Sequence, residues 1–124
     1  MADYFISPKE KTDLHLELAE FADAIVRRWP GETHHFVEEG KGSYGLRWTI
    51  PMRYRRLDGA LNRAGQSIVL DGDVRDAAEF AQWVREQVPS QYPLFFYDEG
   101  YSADVPLTED TSAEELVQPF LIQR

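Results

Sequence analysis

The hydrophobic pattern of this chain changes period twice, and any fold it adopts must satisfy both periods at once. Leu14, Leu18, Phe21, Ala22, Ile25 and Trp29 recur at three- and four-residue steps, the spacing that lines up side chains on one face of a helix. Leu46, Trp48, Ile50, Met52 and Tyr54 then alternate with Arg47, Thr49, Pro51, Arg53 and Arg55, as in a strand with one buried face. Helical spacing returns with Ala77, Phe80, Ala81, Val84 and Val88. Each of these elements is apolar on one side only, so each needs a partner layer. The pattern predicts an α+β fold: a two-layer sandwich in which an antiparallel meander sheet carries two main helices on one face and a short C-terminal helix completes the chain.

Local signals place the elements. Ser7-Pro8-Lys9-Glu10 has the form of a capping box and predicts that the first helix follows it, ending at Pro30-Gly31. Strands are expected at 34–37, 57–61 and 66–70, the last two joined by a hairpin turn over Asn62-Arg63-Ala64-Gly65, and with the run from Leu46 they make the meander. Pro51 lacks an amide hydrogen, which predicts an exposed edge or a bulge in its strand. Asp73 is placed to cap the second helix, which stops before Pro89, and 94–97 reads as one more short strand. Thr111 or Ser112, with Glu114 or Glu115 three residues on, starts the last helix, which Pro119 is expected to close. At 124 residues the chain is expected to form a single domain, 1–124.

Composition removes several classes of chemistry. Cysteine is absent, so disulfides, thiol catalysis and thiolate metal sites are excluded. Met1-Ala2-Asp3-Tyr4 carries no signal-peptide pattern, and no apolar run approaches the roughly 18 residues of a membrane span, which predicts a cytoplasmic protein without a membrane partner. The formal net charge of −9 disfavours nucleic acid as a partner. That charge is segregated. Between residues 41 and 63 six basic side chains face Asp58 alone, a local balance of +5, against −5 for residues 1–40 and −9 for residues 64–124. Two electrical surfaces are expected, each able to steer a partner of opposite sign.

No segment carries a complete catalytic set. Gly40-Lys41-Gly42-Ser43-Tyr44-Gly45 matches G-x-G-x-x-G and, with strands on both sides, resembles the glycine-rich phosphate loop of protein kinases over those residues. The strand lysine, the H-R-D loop and the D-F-G that such a loop works with are missing, and a tight hairpin accounts for the glycines. Asp71, Asp73 and Asp76 are spaced for Mg²⁺ or Ca²⁺, but Val74, Ala77 and Ala78 occupy positions where further oxygens would be needed, and helix capping explains Asp73 and Asp76. His34 and His35 are adjacent, so on a strand they point to opposite faces, and His15 lies alone on the first helix. Neither a metal site nor a cofactor is expected.

Two clusters remain as candidate sites. Tyr97, Asp98, Glu99, Tyr101 and Asp104 combine rings that alternation cannot wholly bury with nearby carboxylates, a composition suited to a hot spot for a basic protein. This makes a non-catalytic cytoplasmic binding protein the leading expectation, one that masks a basic partner as an immunity-type inhibitor masks a toxin. The alternative uses the basic sheet face: Arg47, Arg53 and Arg55 would hold an anionic ligand, in a small binding domain or in a small enzyme with His35 or Glu38 as proton carrier. Homo-oligomers through the strand containing Pro51 are a further possibility.

Overall fold

A computed structural model describes residues 2–30, 35–38 and 44–121. The elements are β1 (Ala2–Ser7), α1 (Leu18–Arg28), β2 (His35–Glu38), β3 (Tyr44–Pro51), β4 (Arg56–Asn62), β5 (Ile68–Gly72), α2 (Val74–Gln87), β6 (Leu94–Asp98), β7 (Asp104–Leu107) and α3 (Ala113–Leu121). Among the described residues seven strands form one sheet in the order β2-β3-β4-β5-β1-β6-β7, every neighbouring pair antiparallel. The expected α+β sandwich is the fold observed, and β2 to β5 are its meander. No described helix is long and apolar enough to cross a membrane.

All three helices lie on one side of the sheet. Trp48 of β3 stacks on Phe80 of α2 and packs against Phe21 of α1, while Trp29, just past α1, stacks on Phe80. At the other end Tyr4 and Phe96 meet the ring of Phe120 from α3 edge-on. Leu46, Ile50, Leu57, Leu61, Ile68, Leu70 and Ile6 complete a continuous core between the layers. The α2 stripe behaves as its spacing predicts: Ala77, Phe80, Ala81, Val84 and Val88 are all buried, and the Asp73 carboxylate accepts the Arg75 amide at 2.8 Å as the cap. Ser112 and Glu115 form the reciprocal capping box of α3, each side chain accepting the other's amide at 3.1 and 3.0 Å. Gly65 closes the 62–65 hairpin at φ +73, and the Asn62 side chain accepts from the amides of Gln66 and Ser67.

Three expectations are corrected and one strand is added. The capping box at Ser7 is not used: Ser7 ends β1, and the first helix begins at Leu18 under Glu17, whose carboxylate accepts the Glu20 amide at 2.9 Å. As the strand between β5 and β6, residues 2–7 make two ladders and bury Tyr4 and Ile6, and the Ser7 hydroxyl is taken by Tyr97 at 2.6 Å. With that hydroxyl engaged, Ser7 has no side-chain acceptor turned to the amides that follow it. Second, the alternating strand stops at Pro51, where a turn closed by the Met52 amide on the Arg55 carbonyl takes over and leaves Tyr54 exposed rather than buried. The added strand, β7, pairs with β6 at the sheet's far edge, through a four-residue run too short to stand out by period. Finally, Pro119 sits inside α3, which runs on to Leu121.

Candidate functional site

Among the described residues the helices cover one face of the sheet and leave the other open, and the side chains of that open face fall into rows that cross the strands. One row reads Arg47, Ala60, Val69, Phe5, Tyr97, Asp104, each the direct partner of the next from β3 to β7. It runs from a cation through small and apolar residues to a ring and then a carboxylate. A second row reads Thr49, Asp58, Asp71, Asp3, again in direct register. Three carboxylates thus stand side by side on neighbouring strands, an arrangement that destabilises a sheet when nothing else neutralises it.

Among the described residues two side chains partner these acids. Thr49 donates its hydroxyl to Asp58 at 2.9 Å, and the Arg56 Nε lies 3.4 Å from the same carboxylate across an exposed surface. Asp71 keeps one carboxylate oxygen buried with no hydrogen-bond partner. The acids, with Tyr44, Arg47, Thr49, Arg56, Ala60 and Val69, line a concavity of about 650 Å³. Arg47 stands at its rim with its guanidinium over the Tyr44 ring, 5.1 Å from the centroid.

Beside the acids lies a run of stacked rings. Tyr97 is parallel to Phe5, at 5.4 Å and 17°, and to Tyr101, at 4.7 Å and 7°. Tyr101 is 62% exposed. The neighbouring Tyr97 hydroxyl, and behind it the Asp104 carboxylate, raise the Tyr101 pKa above the ordinary phenol range. Asp104 is paired with Lys9, whose ammonium also sits over the Phe95 ring at 4.5 Å. The residues selected from sequence therefore divide. Tyr97, Tyr101 and Asp104 come together on the open face. Asp98 turns to the loop, where its carboxylate holds the amide and hydroxyl of Ser102, and Glu99 stands exposed at the turn with its amide on the Asp3 carbonyl at 3.2 Å.

The arginine set is not brought together. Arg47 belongs to the sheet face, whereas Arg53 and Arg55 lie in the turn after β3 with the exposed Tyr54 between them. That turn is pinned by Asp76 of α2, a carboxylate only 1% exposed that accepts the amides of Tyr54 and Arg55 at 3.2 and 2.9 Å. Arg75 is bound by both oxygens of Asp73 and lies over the Tyr54 ring at 3.7 Å. Asp71, Asp73 and Asp76 thus serve the sheet face, a helix cap and a turn anchor, three separate places. Among the described residues no group of three potential ligands could hold a metal ion. His15 meets the Ala64 carbonyl through Nδ1 at 2.9 Å. His34 and most of the glycine-rich segment 40–45 fall outside the described residues, as do the side chains of His35 and Glu38.

Sequence reading missed Asp3, Phe5, Asp58 and Asp71 as members of one surface. A signal for the first two was present, since Tyr4 and Ile6 alternate with Asp3 and Phe5. Nothing local, however, says that Asp58 and Asp71 would face Asp3. Comparison with family models, with curated proteins and with solved structures gives no match.

Proposed function

We propose that this chain is a non-catalytic cytoplasmic binding protein that masks a basic protein partner with the open face of its sheet, as an immunity-type inhibitor would mask a toxin. The observation that carries the reading is the row Asp58, Asp71, Asp3 in direct register beside the stacked rings of Phe5, Tyr97 and Tyr101. Aligned carboxylates weaken the sheet that bears them, by roughly 0.2–1 kcal/mol for each opposed pair. A cationic partner relieves that repulsion, so binding and stabilisation act together. The rings add apolar contact area with few rotamers to immobilise, the property that makes tyrosine common at interface hot spots.

The test compares the tagged protein with an Asp3→Asn, Asp71→Asn double variant in pull-downs from the source cell's lysate, washed at low and then high salt. A stoichiometric basic protein held by the parent, released by salt and lost from the double variant is the expected result. The variant should also melt at a higher temperature than the parent, because the repulsion is gone. Equal capture of the same protein by both forms would overturn the reading.

A further inference from the structure

Tyr101 is the one non-glycine residue with positive φ among the described residues, at +54. A side chain in this left-handed region costs roughly 1–2 kcal/mol, and Gly100 beside it has open space and no left-handed φ. The strain is imposed from both sides: the Tyr101 amide bonds the Asp98 carbonyl at 3.0 Å, and the Asp98 carboxylate grips Ser102. Its geometric consequence is that the Tyr101 ring lies flat on Tyr97, one face covered and the rest open to solvent. Glycine or asparagine would make the same turn with less strain. What tyrosine adds there is a flat, supported, exposed ring.

We infer that the Tyr101 ring is the seat for an arginine of the partner, whose guanidinium stacks on the open face while its edge reaches a carboxylate of the same turn. This rests on the proposed binding of a basic protein and names the contact. Glu99 stands exposed two residues away, and Asp104 already holds a cation, Lys9, beside Tyr97. A guanidinium is planar and weakly hydrated, so it can stack and donate from its edge at once, whereas an ammonium must give up more water to approach a ring. The fold uses the same pairing internally, with Arg75 over Tyr54 at 3.7 Å and Arg28 over Trp29 at 4.7 Å. A nucleobase would also stack, but its phosphates would meet Glu99, Asp98 and Asp104.

The experiment titrates the isotope-labelled full chain with two blocked pentapeptides, Gly-Arg-Gly-Arg-Gly and Gly-Lys-Gly-Lys-Gly, following amide shifts of residues 97–104. The arginine peptide should bind about three- to fivefold more tightly. Tyr101→Phe should keep that preference and Tyr101→Leu should abolish it. Tyr101→Gly provides a check on folding, since it should raise the melting temperature while losing the preference. Equal binding of the two peptides, or a preference that survives Tyr101→Leu, overturns the arginine seat and leaves a face that accepts cations in general. Absence of binding by either peptide overturns the seat and the proposed function together.

Discussion

Replacing Arg85 by methionine should remove about 3 kcal/mol of stability, a figure that follows from the two buried members of its four hydrogen bonds. The side chain is 5% exposed, and its two terminal nitrogens donate to the carbonyls of Val88, Pro89, Tyr92 and Leu107 at 3.0, 2.8, 2.9 and 3.3 Å. It thereby ties the end of α2 to the following turn and to the last residue of β7. Burial pulls its pKa below the usual arginine range, with Glu109 opposing the shift, so the cation is held by backbone dipoles rather than by a bonded carboxylate. The bonds to Val88 and Leu107 are fully buried, and an acceptor left unsatisfied there costs roughly 1–3 kcal/mol. Two such acceptors lose about 2–6 kcal/mol, and relief from burying the cation offsets part of that, leaving about 3. For a chain of this length such a loss lowers Tm by about 12 °C. Urea unfolding followed by far-UV circular dichroism should show a lower midpoint at unchanged slope. Arg85→Lys should fall between the two, because one ammonium cannot reach both pairs of carbonyls. A loss under about 1 kcal/mol for Arg85→Met would refute the assignment of these carbonyls to the guanidinium.

Two further perturbations probe the sheet and the second helix. A Cβ at Gly59 would overlap the indole of Trp48, which is 2% exposed and wedged against Phe80 and Phe21. Gly59→Ala should therefore cost about 1–3 kcal/mol and shift tryptophan emission, and an unchanged urea midpoint would show that the indole can move aside. Hydrogen bonds from Arg75 hold the Asp73 carboxyl below the usual carboxylate range. The unfolded chain therefore takes up this proton first, so the stabilisation is complete above the ordinary carboxyl pKa and is lost as pH falls through the lower, folded value. Asp73→Asn should melt below the parent at neutral pH, with the gap closing as pH drops below about 4. A gap independent of pH would count against the ion pair.

Much of the architecture was legible because its signals are local. The α2 stripe and its Asp73 cap, the Ser112 and Glu115 pair, and the glycine at φ +73 in the 62–65 turn each depend on residues within a turn or two of one another. Of the candidate site, Tyr97, Tyr101 and Asp104 were legible as a group because rings and acids lie close together in sequence there, and the fold places all three on the open face. Sequence reading grouped Arg53 and Arg55 with Arg47 because alternation continues in the sequence past Pro51, although the chain has already turned there.

Tertiary structure decided the rest. Ser7-Pro8-Lys9-Glu10 is a valid helix start in isolation, but Ser7 is the last residue of a strand paired on both edges with segments about 65 and 90 positions away, and its hydroxyl is taken by Tyr97. The row Asp58, Asp71, Asp3 and the ring pair Phe5 with Tyr97 arise the same way. Local chemistry fixes which elements form and which side of each is apolar. The register between strands is set by where distant segments meet across the whole sheet, and that register alone turns separate aspartates and aromatic rings into one surface.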